Sequence, residues 1–267
     1  VAAGAFINVL QITDMHLYEG AGHALAGVDT QLTYEEVLAK LLEDQAWPAD
    51  LILATGDLSQ DGSFAAYDRF KARFEMFGVP TLVIPGNHDD TAVMRDVFRS
   101  GLVSWRRNYL LGDWQFIMLD STIAGSPGGH LAERELVALE ECLAAHPEHH
   151  AVVCLHHHPV SVACRWIDPI GVDNAEAFFA VLDRFPHVRA VVWGHIHQDF
   201  ASERKGVHLL ASPSTCIQFK PRQQDFALDD VPPGYRWLRL YADGRMETAV
   251  ERLAGLPSSI DLQCSGY

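Results

Sequence analysis

LILATGDLSQDG, residues 51–62, is the stretch that decides how the rest of the chain is read. Leu51 to Ala54 form a continuous apolar run, the pattern of a short strand buried on both faces. Gly56 ends the run and a single carboxylate, Asp57, follows. In open α/β sheets ligands sit just beyond the carboxyl ends of the strands. A carboxylate placed there has two oxygens and can bridge two cations about 3.5–4 Å apart. A turn aspartate after a buried strand is the commoner occurrence. The reading changes because four other predicted strand ends carry metal-ligating residue types as well.

Toward the N-terminus, residues 6–13 predict a strand followed by Asp14-Met15-His16. On an extended segment residues two apart point the same way, so Asp14 and His16 are expected to reach one ion while Met15 faces away. Residues 33–44 predict a helix, with Thr33-x-x-Glu36 as a capping box and Val37, Leu38, Leu41 and Leu42 as its apolar stripe. After Asp57, Ser63 is expected to cap a second helix bearing Phe64, Tyr67, Phe70, Phe74 and Phe77 at helical spacing. That stripe reads as core packing, not as a base-stacking surface. Residues 79–84 predict the third buried strand, ending in Pro85-Gly86-Asn87-His88-Asp89-Asp90. Asn87 offers a neutral amide oxygen, and the adjacent His88 is expected to point elsewhere.

Further along, residues 91–98 predict a short helix, and Gly112-Asp113 between two apolar runs predicts a hairpin and a change to antiparallel pairing. The Gly-rich loop at 124–130 lacks the ending of a P-loop and the spacing of a dinucleotide fingerprint. Residues 133–145 predict a helix, and residues 151–155 a strand ending in His156-His157-His158-Pro159. Alternation allows at most one or two of these three histidines to face one pocket. A helix is expected to start near Asn174, and the strand at 188–193 closes with Gly194-His195-Ile196-His197, presenting two imidazoles to one side. Residues 207–211, 235–241 and 246–251 read as antiparallel strands, and the tail from about 256 shows no periodicity and is expected to be loosely ordered. The whole span 1–267 reads as one domain.

The totals limit the function classes. At 267 residues the chain can bury a large core, and no apolar run approaches the ~18 residues of a membrane span. A formal charge of −15 argues against nucleic acid or an anionic membrane as the partner. Five scattered cysteines without a C-x-x-C predict a reducing, cytoplasmic setting and no disulfide framework. The opening VAAGAFINVL has no basic segment and is not read as a signal peptide.

Collected, the strand-end groups are Asp14, His16, Asp57, Asn87, one of His156 to His158, His195 and His197. Carboxylate, imidazole and amide without thiolate suit Mn, Fe or Zn. Seven ligands exceed one site of this kind, but two ions sharing Asp57 use them all.

The order D-x-H, G-D, G-N-H-[DE], H and G-H-x-H, running from Asp14 to His197, resembles the calcineurin-like metallophosphoesterases. The resemblance implies an α/β fold in which two mixed β-sheets pack as a sandwich flanked by helices, four layers in the order αββα, with the strands at about 207–251 completing the second sheet. It implies two divalent metal ions, Fe or Mn, with Zn as a third candidate. Asp14, His16 and His197 would hold one, Asn87, His156 and His195 the other, and Asp57 would bridge, with His157 as the fallback for His156. His88 and Asp57 would be catalytic, and His16, Asp57, Asn87, His88 and His197 would surround the substrate phosphate. Two divalent ions, two carboxylates and a bridging hydroxide leave about +1 locally, which attracts a phosphodiester monoanion despite the acidic protein.

The segments at 155–178, 212–219 and 232–248 resemble the bacterial class III cyclic-nucleotide phosphodiesterases. That resemblance implies hydrolysis of 3′,5′-cyclic AMP to 5′-AMP by in-line attack of a metal-bridging hydroxide. The partner would be a small cyclic nucleotide, with no nucleic acid and no membrane, and the enzyme a cytoplasmic monomer or homodimer. The main alternative is a broader phosphodiesterase acting on glycerophosphodiesters or 2′,3′-cyclic nucleotides; a phosphatase, a nuclease and a metal-free scaffold rank lower. Base recognition is not readable, although Trp166 and Phe219 are candidates to stack on adenine, with core packing as the blander role of each.

Overall fold

Alternation along short buried strands gives each of them two different cores to fill, and this sets the layering. The computed structural model describes residues 6–266, so the reading of the opening VAAGA falls outside them. In chain order the elements are β1 (Phe6–Ile12), β2 (Ala24–Leu25), β3 (Val28–Asp29), α1 (Thr30–Glu43), β4 (Leu51–Thr55), α2 (Phe64–Glu75), β5 (Thr81–Ile84) and α3 (Thr91–Val97). Then come β6 (Val103–Ser104), β7 (Asn108–Leu111), β8 (Trp114–Met118), β9 (Thr122–Ile123), β10 (Ser126–Gly129), α4 (Glu133–Ala145) and β11 (His150–Cys154). The last are α5 (Ala175–Leu182), β12 (Val188–Trp193), β13 (Phe200–Arg204), β14 (Val207–Ala211), β15 (Gly234–Tyr241) and β16 (Met246–Arg252).

One six-stranded sheet has the order β16-β15-β1-β4-β5-β6 and the other β13-β14-β12-β11-β8-β7. The inner strands of both are parallel, while β15, β16, β13 and β7 run antiparallel to their neighbours. Val9, Leu51, Leu53, Leu82 and Ile84 of the first sheet meet Phe116, Met118, Val152, Cys154 and Val192 of the second in a core between the sheets. The alternate residues face outward. Leu10, Ile12, Ile52 and Val83 pack with α1, α2 and α3, and Ile117, Val153, Val191 and Trp193 pack with α4 and α5. The result is helix, sheet, sheet, helix, the four-layer α/β sandwich expected from the resemblance.

Several local expectations need correction. Helix α1 starts at Thr30, not at residue 33, because the Asp29 carboxylate accepts from the Leu32 N–H and caps it. Thr33 lies inside the helix with its hydroxyl donating to the Asp29 carbonyl, and Leu42 of the expected stripe is exposed. Ser63 does cap α2, accepting from the Ala66 N–H, but Phe64 at its start projects into solvent. β13 was not expected; its central residues are exposed and polar, so it carries no apolar signal.

The strands at about 207–251 do not all complete the second sheet. Only β14 joins it, whereas β15 pairs with β1 along Phe6 to Gln11 and brings β16 to the edge of the first sheet. The tail beyond 256 has no helix or strand, yet it is held. Its Asp261 N–H donates to the Ala26 carbonyl, and Ile260 and Cys264 pack against the second sheet's outer core. All five cysteines are free.

Phe116 is fully buried between the sheets and Phe64 is 61% exposed. Phe116→Ala is expected to cost about 3–5 kcal/mol and Phe64→Ala less than about 0.5 kcal/mol, read from the midpoints of urea unfolding.

Candidate metal centre

The inner parallel strands of both sheets end at the same edge of the sandwich, and a polar clamp ties those ends together. The Gln11 side-chain amide donates to the Trp193 carbonyl at 2.9 Å and to the Thr55 hydroxyl at 3.1 Å, linking β1 and β4 to β12 across the inter-sheet gap. The loops that follow carry Asp14 and His16 after β1, Asp57 after β4, Asn87 and His88 after β5, His156 after β11, and His195 and His197 after β12.

These loops are not extended. Asp14 (φ 53°), His16 (φ 50°), Asp57 (φ 49°), His195 (φ 65°) and His197 (φ 48°) all occupy the left-handed region. Non-glycine residues pay of order 1 kcal/mol or more each to sit there, and such strain gathers at functional sites. The shared direction of Asp14 and His16 therefore comes from tight left-handed turns and not from strand alternation, although Met15 does face away into the outer core. Gly56 and Gly194 leave the room these turns need. Gly56 has φ 97°, and a Cβ on it would overlap the His156 ring. One on Gly194 would overlap Thr13 Oγ1 and the Asp14 carboxylate.

The side chains form two adjoining groups. In the first, His197 Nε2 lies 3.3 Å from Asp14 Oδ1, and His16 Nε2 lies 3.1 Å from His197 Nε2. In the second, His156 Nε2 lies 3.2 Å from Asp57 Oδ2 and 3.2 Å from Asn87 Oδ1. His195 has a ligand atom within 4.8 Å of those of Asp57 and His156. Asp57 joins the groups, with its Oδ2 also 3.8 Å from His16 Nε2. The imidazoles of His195 and His197 thus serve opposite groups, where the sequence suggested one shared side. Apart from partly exposed Asn87, all of these residues are buried.

The donors fit a pair of cations. His16 Nδ1 bonds to Gln60 Oε1 at 2.6 Å, His156 Nδ1 to the Thr55 carbonyl at 2.8 Å and His197 Nδ1 to the Ile217 carbonyl at 2.9 Å. An oxygen acceptor keeps the proton on Nδ1 and turns the Nε2 lone pair inward, the arrangement of a metal-ligating histidine. Two such lone pairs 3.1 Å apart, on His16 and His197, repel unless a cation lies between them. His195 Nε2 is buried with no hydrogen-bond partner among the described residues. An orphaned ring nitrogen costs free energy, which a cation bound to its lone pair removes.

Electrostatics point the same way. Burial pushes the Asp14 and Asp57 carboxyls up, but His197 beside Asp14 and His156 beside Asp57 hold both below the usual range. Burial lowers His16 to about 3 against the pull of Asp57, so its imidazole is neutral. His156 goes the other way. Burial pushes it down, but the charge and hydrogen bond of Asp57 raise it to about 9.

His157 turns away from the pair: its Nδ1 meets Ser121 Oγ at 2.8 Å and its ring packs 4.7 Å from that of His195. His88 stands with its ring 5.0 Å from the His16 ring and lines an open cavity above the groups, while its N–H donates to Asp57 Oδ1 at 2.9 Å. Three supporting residues were not anticipated. Asp89 is an acceptor for the N–H groups of Leu58, Ser59 and Gly86, stapling the β4 and β5 loops together. Gln60 orients His16, and its place inside the opening stretch was the one available signal. Cys216 lies beside His16 and His197, its thiol pushed up to about 12 by burial, and offers that group a further donor atom.

The family profile of the calcineurin-like phosphoesterases matches residues 7–199, from β1 through the His195–His197 turn. The chain belongs to that family. Its relatives include the 3′,5′-cyclic adenosine monophosphate phosphodiesterases CpdA of Pseudomonas aeruginosa, 40% identical over 100% of this chain and 97% of that one. The CpdA of Escherichia coli K12 is 42% identical over the same shares of each chain. Among solved structures, a dimetal phosphatase from Danio rerio superposes with a TM-score of 0.61 at 17% identity, covering 92% of this chain and 98% of that one. A purple acid phosphatase from yellow lupin gives 0.65 at 14% identity, covering 93% of this chain and 52% of its own.

Gly56→Ala tests how tightly the centre is built. Displacing the ring should separate His156 from Asp57 and drop its pKa from about 9 toward or below the ordinary value, seen by NMR titration of the metal-free protein. Because the raised pKa stabilises the fold below about pH 6.5 and is lost as pH rises through about 9, the variant should also lose stability, by about 1–3 kcal/mol at neutral pH.

Proposed function

We propose that this chain is a dinuclear-metal phosphodiesterase that hydrolyses 3′,5′-cyclic AMP to 5′-AMP. The observation that carries the reading is the pair of buried donor groups sharing Asp57, in a chain whose CpdA relatives match it from end to end. Asp14, His16 and His197 would hold one cation and Asn87, His156 and His195 the other, with Asp57 between them. Nitrogen and oxygen donors without thiolate favour Fe or Mn, and admit Zn.

The cations would supply charge to the phosphoryl oxygens and activate the attacking water. The protein's own contribution begins with two carboxylates kept anionic in a closed pocket, so that the ligand set is ready without further ionisation. The backbone N–H of His88 fixes one Asp57 oxygen and leaves the other facing His156 and His16. The His88 ring and Asn87 line the cavity from which a phosphodiester would approach. There the His88 imidazolium can neutralise charge building on the phosphoryl group, or hand a proton to the 3′-oxygen as the P–O3′ bond breaks. His16, Asp57, Asn87, His88 and His197 would surround the phosphate.

The formal charge of −15 disfavours a nucleic-acid backbone as partner, and no helix among the described residues is long and apolar enough to cross a membrane. We take its setting to be the cytoplasm, its state to be monomer or homodimer, and residues 1–267 to act as one catalytic domain.

His88→Ala should retain two metal equivalents and lower kcat by roughly 10²–10⁴. Metal lost in parallel with activity would make His88 a ligand, which its closeness to His16 and Asp57 allows. Asp57→Asn should lose metal and activity together. A panel of cyclic AMP, cyclic GMP, 2′,3′-cyclic AMP and glycerophosphocholine after Mn or Fe reconstitution separates the proposal from the broader phosphodiesterase, which would prefer one of the last two.

Metal binding should also be proton-linked. The metal-free His156 holds its proton up to about pH 9, so cation binding must displace it and affinity should rise about tenfold per pH unit up to that point. Calorimetric titrations in buffers of different ionisation enthalpy would detect the released proton.

A further inference from the structure

Beside the metal centre lies a cavity of about 480 Å³ whose floor is Asn87, His88 and His195 and whose far wall is apolar. That volume is in the range of small-ligand sites. Trp166, Ile167, Ile170, Phe219 and Phe226 form most of that wall, and among the described residues its one polar side chain, apart from the floor residues and the Trp166 indole, is Ser126. The two aromatic candidates from the sequence separate here. Phe219 is buried and stacks on the His197 ring, with centroids 4.0 Å apart and planes at 12°, so its face is used in holding a proposed ligand. Trp166 is half-buried and meets Phe219 and Phe226 edge-on, at 79° and 71°. Edge-to-face packing fixes an aromatic ring without using both of its faces.

We infer that this wall is the nucleobase subsite and that Trp166 is the residue whose ring the purine stacks against. The inference rests on the phosphodiesterase reading above and adds what that reading leaves open, the part of the substrate beyond the phosphate. A phosphate over His88 and Asn87 places the rest of the nucleotide in the same continuous cavity, and stacking is how proteins hold bases when few polar groups are at hand. The chemistry has a consequence for specificity. Stacking responds to any purine face, and Ser126 offers a single hydroxyl, already accepting from the Gly128 N–H. The subsite therefore selects for a purine more strongly than for adenine over guanine.

The test compares cyclic AMP, cyclic GMP and the same 3′,5′-cyclic phosphate on ribose lacking a base. Wild type should favour cyclic AMP over the baseless ester. Trp166→Ala should reduce that preference at least about tenfold, chiefly through KM, with a similar loss for cyclic GMP and two metal equivalents retained. The Trp166 indole N–H has no hydrogen-bond partner among the described residues, so Trp166→Phe removes none of the described bonds and should keep most of the preference. If Trp166→Ala leaves the preference intact, or weakens both esters equally, the subsite is elsewhere and the inference falls while the phosphodiesterase reading stands. If wild type cleaves no cyclic nucleotide, it is the phosphodiesterase reading that has failed.

Discussion

Everything at the active edge depends on holding two independent sheets in a fixed relation. The inter-sheet core is apolar and therefore nondirectional: it drives association without specifying how one sheet is set along the other. Gln11 supplies the direction. Its amide donates to the Trp193 carbonyl and the Thr55 hydroxyl, and its carbonyl accepts from Ser212 Oγ at 2.7 Å. A fully satisfied polar group inside such a core acts only when both sheets are in place, and Gln11 sits near the end of β1, just before Asp14. Asp14 and His197 then come together although they are far apart in the chain.

Above that clamp the geometry is maintained at a cost. Five of the proposed ligands hold left-handed backbone, two carboxylates are buried side by side, and His195 has an unsatisfied nitrogen. Each feature alone destabilises the fold. Together they describe a protein shaped around positive charge, in which the Thr55 and Ile217 carbonyls and Gln60 fix the tautomers of His156, His197 and His16, and backbone amides hold the Asp14 and Asp57 carboxylates. Preorganisation of this kind is what lets a site act on a phosphoester without rearranging during the reaction.

The sequence was most readable where one residue type had one physical role. Apolar runs of four to six residues are strands buried on both faces, and β4, β5, β11 and β12 were placed within two residues of their observed ends. The proposed ligands could be singled out because each followed such a run. The means of convergence could not be read, since alternation predicts direction only on extended backbone and these turns are left-handed. Competing caps hid the start of α1, where Asp29 and Thr33 are both good candidates and only the fold chooses between them. The sheet to which β15 and β16 belong was hidden too, because antiparallel pairing with β1 is a contact across most of the chain. Asp89 stood in the G-N-H-[DE] block without a role of its own, and its backbone partners in the β4 loop supply one.

The pairing of β1 with β15 also bears on how the molecule is made. β1 waits for β15, which follows it much later in the chain, from Phe6 opposite Tyr241 to Gln11 opposite Arg236. Until then one edge of the first sheet stands open, with unsatisfied amides and carbonyls ready to recruit a neighbouring polypeptide. Folding of that layer depends on contacts of long range, which are slow to form. The chain is consequently most vulnerable to aggregation before β15 is in place, when protection of the open β1 edge matters most.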